Sequence, residues 1–208
     1  EATIEAGIAA TMVGVEIEKR VAATMAPFLA MEHKKRAETY MDLGKYENAI
    51  QEYDKVIQLD PNYTHAYLNR GYSYDELGQT QRAIKDYDKA IQLDPNDADA
   101  YFNRGVAYRG LGQYQRVIQG YDKAIQLDPN AMAYIVRGVS YAKLGQHQNT
   151  IADYTKAIRI GGSCDAMAYH NRGILGSHEF RVITSIWEIQ GWSRHSRGRS
   201  RLVKDSWI

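Results

Sequence analysis

The sequence predicts an all-α solenoid, a stack of helical hairpins without strands, and three observations predict it. The four prolines of the 208-residue chain stand at Pro27, Pro61, Pro95 and Pro129, a constant step of 34 residues. Tyr53, Tyr87 and Tyr121 keep that step, and Tyr154 follows at 33. Within each period, apolar and small residues recur at helical steps of three and four, as Tyr67, Gly71 and Tyr74 do, followed by Ala83, Tyr87, Ala90 and Ile91. A fixed period of this length marks a unit that cannot bury its apolar face alone and must stack on its neighbours.

The elements follow in order. Residues 1–29 are Ala-rich, with Val13, Ile17, Val21 and Met25 at steps of four; they are expected to form a helical cap, the degenerate second helix of a preceding unit, or a leader or linker remnant. Four repeats are expected at 30–63, 64–97, 98–130 and 131–165, each a pair of helices. Leu43-Gly44, Leu77-Gly78, Leu111-Gly112 and Leu144-Gly145 end the first helix of each pair, because Gly accepts the left-handed cap conformation. Asp60-Pro61-Asn62 and its copies end the second, since the residue before Pro is pushed out of helical dihedrals. Gly71, Gly105 and Gly138 recur where the two helices cross closely, and Tyr side chains fill the space around them. A truncated fifth unit is expected over 166–176, with Gly173 in register.

These residues resemble the tetratricopeptide repeat family. Its 34-residue motif carries an aromatic at position 4, Gly or Ala at 8, Tyr at 11, Ala at 20, an aromatic at 24, Ala at 27 and Pro at 32. The resemblance covers about two thirds of the chain and implies a right-handed superhelix. Departures exist: the first copy has His33 for the aromatic and Ala37 for Gly, and every copy has Arg at position 7 (Arg36, Arg70, Arg104, Arg137 and Arg172) where the family often has Leu. The third copy is one residue short, and the fourth replaces Asp-Pro-Asn by Ile160-Gly161-Gly162.

Residues 177–208 break the pattern. All three Trp (Trp187, Trp192 and Trp207) fall there and no Tyr does; after Gly173 six Lys+Arg face three Asp+Glu. This tail reads as a solvated segment, as a hydrophobic cap through Phe180, Ile183, Ile186 and Trp187, or as a remnant of a shifted reading frame. Its Arg-Ser run is the only basic segment that suggests nucleic acid. For the whole chain, 26 Lys+Arg against 25 Asp+Glu give a charge of +1, which argues against nucleic acid or an anionic membrane as the main partner. Mean hydropathy is -0.51 and no 18-residue apolar run occurs, so no membrane span is expected. The single Cys164 excludes an intramolecular disulfide framework and leaves the compartment open, with the cytoplasm the favoured reading.

No motif for phosphate binding, zinc proteolysis or a nucleophile elbow occurs. Cys164, His170 and His178 lack a second Cys for a metal site, and Cys164 reads as part of an inter-repeat loop. Asp86 and Lys89, like Asp153 and Lys156, are spaced as surface charge pairs. The expectation is a non-catalytic protein without cofactor or metal.

The resemblance places a partner groove on the concave face, at positions 2, 5, 6, 9, 12 and 13 of the first helices. These are His65, Leu68, Asn69, Tyr72, Asp75 and Glu76 in the second copy, Asp99, Phe102, Asn103, Val106 and Arg109 in the third, and Met132, Ile135, Val136, Val139 and Lys143 in the fourth. Asn69 and Asn103 are spaced to hydrogen-bond an extended backbone, and Phe102, Ile135 and Val139 to receive apolar side chains. The clamp that some family members form around an acidic chaperone tail is not expected: Lys34 and Asn69 match it, but Glu38, Asp99 and Asn103 do not. The chain is therefore expected to be an interaction module or scaffold for a peptide or partner helix. The alternatives are a regulatory or targeting module of a larger enzyme, or a scaffold that self-associates through its solenoid ends.

Overall fold

A computed structural model describes residues 2–161, and within them the chain is all helix and connecting turns. The end of the fourth repeat, the truncated fifth unit, the tail and Cys164, His170 and His178 lie outside the described residues. The helices are α1 (Ala2–Asp42), α2 (Tyr46–Leu59), α3 (Thr64–Glu76), α4 (Thr80–Leu93), α5 (Ala98–Gly110), α6 (Tyr114–Leu127), α7 (Ala131–Lys143) and α8 (His147–Ile160). They pack as successive hairpins, α1 on α2 through α7 on α8. Each second helix also packs on the first helix of the next hairpin, and α3 touches α5 directly. The first helices thus form one layer and the second helices the other.

The turns inside the hairpins repeat one geometry. Gly44, Gly78, Gly112 and Gly145 have φ of 68, 72, 68 and 72°. The next residue's N–H reaches back to the carbonyl five residues earlier, as Lys45 to Tyr40 (2.8 Å) and Gln79 to Tyr74 (2.8 Å). This double closure satisfies the last carbonyls of the helix and needs the left-handed conformation that only Gly adopts without strain.

Between hairpins, Asp60 and Asp94 leave the helix in extended conformation, and their Oδ1 atoms accept the N–H of Asn62 (3.0 Å) and Asn96 (2.9 Å). Asp-Pro-Asn stops a helix through two features at once: Pro cannot continue the ladder, and the Asp side chain captures the backbone beyond it. Pro27 has neither neighbour. It follows Ala26 in an Ala-rich stretch, and α1 runs through it unbroken. Residues 2–29 are therefore the first part of α1 and do not form a hairpin arm folded over the first repeat. Ile17, Val21, Met25 and Phe28 are exposed along this projection.

Inside the stack, large meets small as the spacing predicts. A Cβ on Gly71 would stand 2.8 Å from the ring of Tyr87, and one on Gly105 or Gly138 would stand 2.7 Å from Tyr121 or Tyr154. The three tyrosines are buried. The core forms three clusters in series, each crossing a repeat boundary. The first joins Ala37, Tyr53 and Val56 to Ala66 of α3, the second joins Tyr67 and Tyr87 to Ala100 and Ala107 of α5, and the third joins Val117 and Tyr121 to α7 and α8. No hairpin closes a core alone, which is the physical content of a solenoid.

Candidate partner-binding groove

The side chains expected in the groove divide into two groups. His65 and Asp99 are exposed, and Asn69, Tyr72, Phe102, Asn103, Val106, Arg109, Met132 and Val139 are half-buried. All lie on α3, α5 and α7, the layer of first helices. Several are held in place. Tyr72 meets the ring of Tyr46 edge-on at 6.2 Å, Phe102 meets Tyr121 edge-on at 5.1 Å, and His65 lies 5.8 Å from Tyr63. Phe102, Val106, Met132 and Val139 rest against the third core cluster with part of each side chain open.

Leu68, Ile135 and Val136 do not belong to this surface. They are 8, 2 and 5% exposed and are members of the core clusters. The reason is competition: an apolar side chain within reach of a core leaves water at once, gaining about 25 cal/mol per Å² buried. Three of the apolar positions expected in the groove are consequently taken by the protein itself.

A second arrangement was hidden in the position-7 arginines. Arg70 on α3 donates from Nε and Nη2 to the two carboxylate oxygens of Asp86 on α4 (2.7 Å each) and from Nη1 to Asp54 on α2 (2.6 Å). Arg137 on α7 does the same with Asp153 on α8 (2.8 and 2.6 Å) and Asp122 on α6 (2.6 Å). Each guanidinium thus ties three consecutive helices. Asp86 and Asp153 are buried and pair with these arginines, not with Lys89 and Lys156 as the i, i+3 spacing suggests. Lys89 instead reaches Gln92, and Lys156 lies over the Tyr134 ring. Burial opposes the charge on Arg70 and Arg137, but the paired aspartates outweigh it and hold both guanidinium groups well above their ordinary range. Burial, with Asp153 adjacent, likewise pushes the Tyr154 phenol up.

The first repeat varies the theme. Glu52 takes the place of Asp86, with His33 Nδ1 at 2.7 Å, Lys55 Nζ at 2.6 Å and Arg36 Nε at 3.4 Å. Burial works to raise its carboxyl, yet the hydrogen bonds from His33 and Lys55 and the charges of Lys55 and Arg36 hold it below its ordinary value. In the third repeat Arg104 hydrogen-bonds, among the described residues, to Asp88 alone (2.6 Å from Nη1), because Gly120 stands where the other repeats carry an acid. The signal for this ladder was present in the chain as Arg recurring with an acid 16 residues later. Among the described residues, no three His, Cys, Asp or Glu side chains stand together to hold a metal ion, and no helix is long and apolar enough to cross a membrane.

Family models of the TPR repeat match residues 37–78 and 71–112, and those of the tetratricopeptide repeat match 98–130 and 131–160. The chain belongs to the tetratricopeptide repeat family. A crystal structure of MamA is similar at 31% identity over 67% of this chain and 81% of that one, with a TM-score of 0.63. A MamA fragment from Desulfovibrio magneticus RS-1 (22% identity, 74% of this chain and 94% of that one, TM-score 0.60) shares the fold. So does the Arabidopsis OM64 TPR domain (24% identity, 59% and 98%, TM-score 0.52). No curated protein sequence matches the chain. As a tetratricopeptide repeat solenoid the protein has a protein-interaction scaffold role.

Proposed function

We propose that the layer of first helices binds a peptide or partner helix, without catalysis. The observation that supports this reading is the half-open row of Tyr72, Phe102, Val106, Met132 and Val139 on the first helices of three successive hairpins, bordered by the amides of Asn69 and Asn103. Apolar area that is ordered by the core yet left open in part is what a partner side chain gains by covering. The test is capture of partners by the wild-type chain beside an Asn69→Ala, Asn103→Ala, Val139→Asp variant whose helicity is unchanged. A partner lost by the variant supports the groove, and equal capture removes it.

A second reading rests on α1. Its projection, about 40 Å at 1.5 Å per residue, exposes Ile17, Val21, Met25 and Phe28 along one side, an apolar stripe that suits self-association. A mass that rises with concentration in light scattering, and falls to that of a monomer in Val21→Glu, Phe28→Glu, supports it. A monomer at every concentration refutes it.

A further inference from the structure

The half-open row of the groove has edges of opposite charge. Successive helices of the stack join through short turns and run antiparallel, which sets the N-terminal ends of α3, α5 and α7 along one edge of the solenoid and their C-terminal ends along the other. At the N-terminal edge of α5 and α7 stand Asp94, Asp97, Asp99 and Asp128, and residues 90–103 and 124–136 contain no Lys or Arg. Asp94 and Asp97 accept backbone N–H groups of their own turns, which leaves their carboxylate charge in place. The C-terminal edge of the same two helices is the reverse. Arg109, Arg116 and Lys143 stand there, and residues 100–121 and 129–152 contain no Asp or Glu. Arg116 lies 5.2 Å from the Tyr108 ring, while the side chains of Arg109 and Lys143 make no hydrogen bond or ion pair among the described residues. Between the edges lie Phe102 and Val106 of α5 and Met132 and Val139 of α7. At α3 the polarity differs, since Asp75 and Glu76 hold its C-terminal edge and Lys34 reaches the Tyr63 ring at the other.

We propose that α5 and α7 take an amphipathic partner helix whose apolar stripe is flanked by Lys or Arg on one side and by Asp or Glu on the other. This assignment rests on the groove proposed above and adds the charges of its occupant. The apolar stripe covers Phe102, Val106, Met132 and Val139. The cationic flank lies over the aspartates and the anionic flank over Arg109 and Lys143. A helix with one sign of charge on both flanks meets like charge along one edge. A strand sends alternate side chains to opposite faces and has no such flanks, which favours a helix over an extended peptide.

The test measures the fluorescence anisotropy of three labelled 18-residue helical probes, each about 27 Å long, added to the full chain. All share one Leu stripe; one carries Lys on one flank and Glu on the other, one Lys on both, and one Glu on both. Ion pairs at a rim are weak singly, but several reverse sign together, so the mixed probe is expected to bind about tenfold tighter than either of the others at low salt. Raising the salt should shrink that advantage. Arg109→Glu, Lys143→Glu, with helicity unchanged, is expected to prefer the all-Lys probe, and Asp99→Lys, Asp128→Lys the all-Glu probe. Asp97 is left in place because it caps α5. Equal affinity of the three probes, lost in Val139→Asp, overturns the charge assignment and leaves the groove standing. No binding of any probe, or binding that Val139→Asp does not weaken, overturns both.

Discussion

The second and third repeats are near copies that differ at one telling position. Both carry Asn-Arg-Gly on the first helix and end the second with Tyr-Asp-Lys-Ala-Ile-Gln-Leu-Asp-Pro-Asn, but Asp86 in one is Gly120 in the other. In the second repeat Arg70 spans α2, α3 and α4; in the third Arg104 reaches back to α4 and makes no bond to α6. The Gly–Tyr crossing is alike in both, where a Cβ added to Gly71 or Gly105 would stand 2.8 or 2.7 Å from the facing ring. The comparison separates two jobs: tyrosine and glycine set how closely the hairpin closes, while the arginine ladder ties hairpin to hairpin.

The largest effect comes from attacking what the two repeats share. Tyr87→Ala and Tyr121→Ala each empty a buried site, and each is expected to cost about 3–5 kcal/mol. Tyr121→Ala should cost about 0.5–1.5 kcal/mol more, because Phe102 loses its edge-on partner. Urea unfolding of the two variants checks both numbers. If the two hairpins respond alike, the aromatic pair adds nothing beyond burial.

The next two variants make each repeat resemble the other. Asp86→Ala gives the second repeat the defect of the third and is expected to cost about 2–3 kcal/mol. That is below the ~3–5 of a fully buried pair, since Arg70 keeps Asp54. Gly120→Asp gives the third repeat the complete fork and is expected to add about 1–2 kcal/mol. The charge-assisted bonds and the removal of a helix-interior Gly outweigh a tight approach of 3.3 Å to the Tyr101 carbonyl. In an Arg104→Leu background that gain should vanish, and a gain that persists would assign it to helix propensity alone.

The sequence carried one of these two jobs openly. The Gly turns, the Asp-Pro-Asn stops and the Gly–Tyr contacts repeat at fixed spacing and involve residues with one physical use each, so their geometry follows from their positions. The ladder was harder to see, because Asp86 and Lys89 three residues apart resemble a surface pair, while the real partner, Arg70, sits 16 residues away across a turn. Leu68, Ile135 and Val136 were misplaced for a related reason: position in a repeat says which side of a helix a residue occupies, but not whether core or solvent claims it. Pro27 keeps the register of the helix-ending prolines but lacks the flanking Asp and Asn that make them stops.

The first repeat sharpens the comparison by its pH response, the smallest effect of the set. There the acid is Glu52, served by His33, Lys55 and Arg36 at once and held below the ordinary value near 4.5. A carboxylate depressed in the folded state binds fewer protons there than in the unfolded chain. Its stabilisation is therefore complete above the unfolded value and is lost as pH falls through the lower folded one. Glu52→Gln removes that dependence, so its Tm between pH 6 and pH 3 should fall less steeply than that of the wild type. The two curves should differ at neutral pH by the ~0.2–1 kcal/mol typical of partly exposed ion pairs. Parallel acid limbs would mean that Glu52 keeps the same affinity for protons folded and unfolded, and that the first rung of the ladder holds by packing and not by charge.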